Sequence, residues 1–504
     1  MVFSSLIFLY LFLPFTLAAT FLAPVRFRNT VLLTASLVFF AWGAPRFVFV
    51  LVAGCLLDWF LSRAIAKDAP VAEGERHAQS ARRLLGAGVA VNLLLLGYFK
   101  YANFAVDQFN ALFSLLGLSP IAWTEVALPI GISFFTFQKI SYLVDVYRGV
   151  VRPASSFSRY LLYVSLFPQL IAGPIVRYHD VADQIDRRTT TTEDFLAGLW
   201  RFSIGLARKT LIANPLAVVA DSVFNASAAN GALTPGAAWF GLLAYTFQIY
   251  FDFAGYSDMA IGLGRIFGFR FLENFNAPYT SRDMGEFWRK WHISLGNFMK
   301  EYLYIPLGGN RVGFKRCLFN NWVVFLLSGI WHGASWNFAI WGAWHGLWIC
   351  VSKFNRLRGK KERPRPTGLH AVPAVLATFF LVMIGWVFFR AETLPAAMRF
   401  LRTAFLGTGS PMTAETITIA SLATPQVIVA MLVALWFSFA PAFFPGLALL
   451  NWDIPDDAQA ATSSPVFRGP AAIYLRNFTA LLLIALSTLP LLRGGFNPFI
   501  YFRF

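Results

Sequence analysis

The sequence predicts an all-α polytopic membrane protein, and composition, the number of apolar segments and the placement of charge each predict it. Hydrophobic residues make up 57% of the 504 and charged residues only 13%. The mean hydropathy of +0.58 lies beyond the range of a water-soluble globular domain. A helix needs roughly 20 apolar residues to cross a bilayer, and the chain offers about ten to twelve such segments on that template. The net charge is +17, but the bases sit in short loops between apolar runs and not in one patch. That distribution argues against nucleic acid as a partner and follows the positive-inside rule, with the lipid bilayer as the surroundings.

Taken in order, the first run, Phe3 to Pro24, lacks a basic leader region and is followed at once by another span, so it reads as a retained helix and not a cleaved signal. Thr30 to Trp42, Phe47 to Ala66 and Leu84 to Tyr98 come next, with the polar stretch Lys67 to Arg83 as a water-exposed loop. Then follow Val126 to Val146, Tyr160 to Ile175, Phe195 to Val219, Ala237 to Phe269, Leu318 to Val351, Leu369 to Phe389, Val427 to Leu450 and Ala471 to Leu492. The most basic loop, Lys353 to Pro366, carries seven Lys or Arg against one Glu and is expected on the cytoplasmic side. Asn451 to Ser464 holds Asp453, Asp456 and Asp457, which do not fix its side. With no internal repeat and no low-complexity tail, residues 1–504 read as one polytopic domain. Cys55, Cys317 and Cys350 are too widely spaced for a disulfide framework or a zinc site.

Polar residues inside the spans carry the functional signal. Gln248, Asp252 and Asp258 interrupt Ala237 to Phe269, and carboxylates at membrane depth face a bundle interior or a wet cavity. Two roles fit Asp252: pairing with a base on a neighbouring helix, or lining a path. The GxxxG of Gly264 and Gly268, with Gly255 nearby, suits close helix packing. In Ser165 to Tyr178, Pro168, Gly173 and Pro174 break any straight helix. Broken backbone is tolerated in a membrane only where it is buried in protein or lines a cavity, so these breaks argue for an internal chamber.

Three of the six histidines directly follow a tryptophan between Asp283 and Gly346: His292, His332 and His345. Asp283 and Glu286 have the spacing of a capping box, which predicts an amphipathic interfacial helix. Phe287, Trp288, Trp291, Leu295, Phe298, Met299 and Tyr302 form its apolar face, and His292 sits at the edge of that stripe. His332 lies in an apolar run too long for one perpendicular span, which calls for a tilt or a break near its glycines. Were the run continuous, His332 and His345 would stand about 20 Å apart on different faces. No HExxH, cysteine cluster or carboxylate at ligand spacing accompanies them, so no metal is expected. No GxSxG elbow is present. Two roles remain for His332: a satisfied core residue, or a general base on a hydroxyl or thioester, for which imidazole's ordinary pKa of about 6.5 suits it.

These residues resemble the membrane-bound O-acyltransferases, in the branch of bacterial alginate O-acetyltransferase membrane subunits. The likeness runs from Val2-Phe3-Ser4-Ser5 through Leu128 to Phe134, Gly173-Pro174-Ile175 and Tyr250 to Asp258. It continues through Phe287 to Leu295, Tyr304 to Arg311, Trp331-His332-Gly333 and Pro498 to Phe504. The resemblance implies a ring of tilted transmembrane helices around a central tunnel, with interfacial amphipathic helices. It further implies His332 as the catalytic residue, His292 as the second active-site residue, and His345, Trp331, Trp291, Asp252 and Asp258 in support; His77, His179 and His370 fall outside its motifs. Acetyl-CoA as cytoplasmic acyl donor, a polysaccharide acceptor, periplasmic acetyltransferase or acetyl-relay partners and a bacterial inner membrane location follow from the same likeness. Acetylation of cellulose or another surface glycan and D-alanyl transfer to teichoic acid are the neighbouring readings. A proton-coupled transporter using Asp252, Asp258 and the histidines is the rival from another class.

Overall fold

The computed structural model describes residues 1–67, 78–357, 368–407, 416–443, 470–494 and 497. His77, the basic loop beyond 357, the acidic loop 451–464 and the motif 498–504 lie outside the described residues. Within them, regular structure is helical apart from isolated bridges that pair Leu233 with Ile417 and Phe275 with Trp291. Among the described residues five helices are long and apolar enough to cross a membrane: Pro45–Lys67, Gln79–Leu115, Thr192–Ala228, Gly368–Arg390 and Ile473–Leu492. Shorter apolar helices cover Phe8–Leu22 and Pro425–Ala440. The protein is thus an all-helical, multi-pass membrane protein. Its backbone forms two compact units, residues 1–198 with 260–272, and residues 199–259 with 273–504.

In the first unit the proline and glycine break is real and fully buried. The helix Phe157–Ser165 stops, one short turn spans Phe167–Leu170, and the chain then runs without helix to Arg177. Side chains and packing replace the lost helical bonds. Phe167 N–H donates to Ser36 Oγ at 3.1 Å, and Tyr163 O–H donates to the Val176 carbonyl at 3.0 Å. The Phe167 ring inserts among Phe12 and Phe39, with centroids 5.4 and 5.6 Å away. Gly131 opens the helix Ile132–Tyr147 at φ +76°, where a Cβ would stand 2.6 Å from the Leu170 carbonyl. Only glycine meets both demands. Lys139 on this helix pairs with Asp58 at 3.2 Å, and Asn92 donates to the same carboxylate at 3.0 Å.

The second unit is built on a helical hairpin and a helix crossing. The over-long apolar run does break, after His332: Phe314–His332 is one helix, residues 333–335 turn, and Trp336–Leu357 is the next. Glycines let the two arms touch. A Cβ on Gly329 would lie 2.2 Å from the Phe338 carbonyl, and one on Gly342 would lie 2.4 Å from the Phe325 carbonyl.

At the crossing, the GxxxG reading needs correction. Gly264 abuts the Phe271 ring, and Gly268 ends its helix at φ +85°. The close contact instead pairs Gly205 with Gly255, each within 2.7 Å of the other's carbonyl once a Cβ is added.

Beside this crossing the two intramembrane carboxylates are both paired. Lys209 holds Asp252 at 2.8 Å, and Asp258 is clamped by Arg201 at 2.7 Å and Arg208 at 2.6 Å. All but Arg201 are almost completely buried. Of the two roles that fitted Asp252, the structural one describes this geometry. A buried ion is costly once its partner is removed, whereas replacing both partners by apolar groups is tolerated. Lys209→Met is therefore expected to destabilise the protein by about 3–5 kcal/mol, and adding Asp252→Leu to restore most of that loss; thermal unfolding in detergent measures both.

Candidate active site

The predicted helix from Asp283 begins as expected and ends early. Asp283 caps Met284–Lys290 by accepting from Glu286 N–H at 2.7 Å. Glu286 in turn pairs with Arg282 at 2.9 Å and Lys290 at 3.1 Å. Burial alone would raise this carboxyl, but the two cations pull it down to about 2, so it stays ionised and fixes the first turn.

The amphipathic pattern through Tyr302 does not continue as one helix. Residues 274–276 lie against 290–293 instead: Asn276 N–H donates to the Lys290 carbonyl and Ile293 N–H to the Asn274 carbonyl, both at 2.9 Å. The break leaves His292 at φ +47°, ψ +55°, as the residue before the helix Ile293–Met299. A non-glycine residue there costs about 1–3 kcal/mol and persists only where its surroundings over-determine it.

Those surroundings bury His292 to 1% exposure. The Phe253 ring stands edge-on at 4.7 Å, and the imidazole Nδ1 lies 3.0 Å from Asn274 Oδ1. Its Nε2 is buried and has no hydrogen-bond partner. His292 lines a cavity of about 640 Å³ together with Trp288, Phe325, Tyr304 and three cations, Arg289, Lys300 and Lys353. Lys353 Nζ is anchored there by Asn321 Oδ1 at 2.7 Å. The chamber therefore joins aromatic walls to a positive polar lining, a surface suited to an acyl thioester with an anionic tail.

His345 and His332 lie behind the aromatic wall. Trp288 Nε1–H donates to His345 Nδ1 at 3.3 Å, so that lone pair is already engaged and the ring hydrogen belongs on Nε2. The Trp341 ring centroid is 5.0 Å from that of His345 and 5.1 Å from that of His332. The two imidazoles are thus at most 10.1 Å apart, because the turn after His332 folds the run back on itself. Phe389 and Trp331 complete the packing around His332, at 5.2 and 4.8 Å.

Trp291, a supporting residue in the sequence reading, is buried against Phe275 and Trp386 and makes the bridge that interrupts the helix. Asp252 and Asp258 are held in the ion pairs described above and are not among the cavity's lining residues. Asn274, Trp288, Trp341 and Lys353 had not been singled out as site residues. The capping pattern marked the helix start, but nothing local marked the strap 274–276 that stops it. No group of three or more His, Cys, Asp or Glu stands at metal-binding distance among the described residues.

A buried histidine with a free nitrogen at a cationic, aromatic chamber in a membrane protein suits acyl transfer, and comparison with known proteins defines the class. Residues 148–391 match the model of the membrane-bound O-acyltransferase family. The chain is 43% identical to a probable alginate O-acetylase of Azotobacter vinelandii and 40% identical to that of Pseudomonas aeruginosa, over the full length of both proteins in each case. A peptidoglycan O-acetyltransferase of Helicobacter pylori is 36% identical over 80% of this chain and 79% of its own. The protein is a membrane O-acyltransferase. It belongs to the membrane-bound O-acyltransferase family, in the branch that contains the alginate O-acetylases.

Gly385 tests the wall behind the chamber. On the helix Val372–Arg390, a Cβ at this position would come within 2.6 Å of His345 Nε2 and 3.2 Å of Trp344 Cδ1. Helix propensity favours alanine over glycine by about 1 kcal/mol, but overpacking a rigid ring costs about 1–3 kcal/mol. Gly385→Ala should therefore lower the thermal stability, and an increase would show that the ring cluster yields freely.

Proposed function

We propose that this enzyme takes acetyl groups from acetyl-CoA and passes them on for O-acetylation of an exopolysaccharide of the alginate type. Its full-length similarity to alginate O-acetylases carries the acceptor class. The cationic lining of the chamber supports a phosphate-bearing thioester donor. The rest of the proposal is a bacterial inner-membrane enzyme that receives the donor from the cytoplasm and hands acetyl to periplasmic acetyltransferase or relay proteins.

His292 and His332 are the proposed catalytic pair. With its Nε2 lone pair available, His292 can accept a proton from an attacking hydroxyl or thiol as the thioester carbonyl is attacked. The proton then leaves with the departing thiolate, which becomes a thiol. His332, whose ring packs against Trp341 and Phe389, is proposed to complete the acid–base chemistry. His345 spends its lone pair on Trp288 and supports the wall.

A second reading has one observation in its favour: the similarity to a peptidoglycan O-acetyltransferase supports a different surface glycan as acceptor. Teichoic acid D-alanyltransferases are more distant, at 27% identity over 52% of the chain for that of Bacillus subtilis. The transporter alternative loses support, because Asp252 and Asp258 are consumed in ion pairs.

In a strain deleted for the gene, complementation with His332→Ala should leave the polymer without acetyl groups while the protein remains in the membrane. His292→Ala should reduce transfer from labelled acetyl-CoA by about 10²- to 10⁴-fold. Wild-type acetyl content with either variant would remove that histidine from the chemistry, and unacetylated cell-wall glycan with normal alginate would favour the second reading.

A further inference from the structure

We infer that Asn274 is a positioning residue that fixes which nitrogen of His292 acts as the base; this rests on the proposed role of His292. The reasoning begins with the amide's orientation. Asn274 is completely buried. One of its terminal atoms receives the Ser294 backbone N–H at 3.3 Å and the Ser294 hydroxyl at 2.8 Å. A backbone N–H can only donate, so that atom is the oxygen. The other terminal atom, the amide nitrogen, donates to Ser257 Oγ at 3.1 Å, which locks the amide against a flip.

His292 Nδ1 lies 3.0 Å from the same oxygen. An oxygen with no proton to give requires Nδ1 to carry the hydrogen. In the neutral ring the lone pair must then be on Nε2, the atom left buried without a partner. The opposite tautomer would set two lone pairs against each other at that distance. Asn274 thereby selects the reactive form and also the ring's rotation, as orienting partners of functional histidines do.

Backbone geometry supports the same assignment. Asn274 opens the strap whose carbonyl accepts from Ile293 N–H and whose neighbour Phe275 bridges Trp291. The residue that holds the imidazole also lies in the segment that forces His292 into its left-handed conformation. Placement and tautomer are set together.

The test measures transfer from labelled acetyl-CoA to polymer in inverted membrane vesicles as a function of pH. The imidazole meets Phe253, Asn274 and Ser294, none of which titrates near neutrality, and Arg289, Lys300 and Lys353 of the chamber remain in every variant. Asn274→Asp keeps an acceptor on Nδ1 but adds a negative charge that favours the imidazolium. Its acidic limb should move to higher pH by at least about one unit, with activity recovering above it. Asn274→Ala should lower kcat by about 10- to 100-fold and have no further effect in a His292→Ala background. A profile for the nearly isosteric Asp variant that superimposes on the parent would overturn the positioning role, even if the Ala variant fails to accumulate. Full transfer by His292→Ala alone would instead overturn the catalytic reading of that histidine.

Discussion

The interaction on which the site depends is the short pairing of residues 274–276 with 290–293. It stops a sequence that by pattern would form one amphipathic helix, and the stop delivers His292. Neighbouring residues of the second unit hold this exchange. Trp291 gives up helical geometry to bridge Phe275 and fills the space between Phe275 and Trp386. Ala277, another non-glycine residue at positive φ, φ +42°, ends the same strap. Two such residues flanking one bridge mark a backbone held by tertiary contacts against local preference.

The three histidines illustrate how one residue type is given different work by its hydrogen bonds. His345 accepts a hydrogen bond at Nδ1 and is sealed at Nε2 against Gly385, so its ring is spent on holding Trp288. His292 meets an oxygen at Nδ1 and keeps Nε2 free. The two neutral rings therefore carry opposite tautomers only because one faces a donor and the other an acceptor. Burial favours the neutral form of His292, and only its arrangement leaves a lone pair to accept a proton.

Much of this was legible in the sequence. The apolar runs, the break at Pro168 to Pro174 and the Asp283 cap are local signals, and local physics realises them. The over-long run Leu318 to Val351 called for a tilt or a break, since a bilayer limits a straight helix, and the chain takes the break, after His332. What could not be read was the long-range part. The amphipathic face through Tyr302 is a true periodicity, yet the strap is brought against it by packing that no spacing encodes. The Gly264 and Gly268 pair matched a packing motif, whereas the actual crossing uses Gly205 and Gly255, 50 residues apart in sequence. Asp252 and Asp258 gave the correct warning of buried charge but not its partners.

Ion pairing and acyl chemistry place opposite demands on one apolar body, and the fold meets them by separation. Near the Gly205 and Gly255 crossing, carboxylates and bases neutralise one another, so little charge remains to attract water. At the chamber, Glu286 and Lys290 are paired with each other, while Arg289, Lys300 and Lys353 reach its lining. Neutralised ion pairs at one place and a cation-lined chamber at another concentrate positive potential at that lining. Burial disfavours a protonated imidazole at His292, which favours the neutral ring. Burial and charge thus act separately: the first keeps the imidazole neutral, and the second gives the chamber its positive lining.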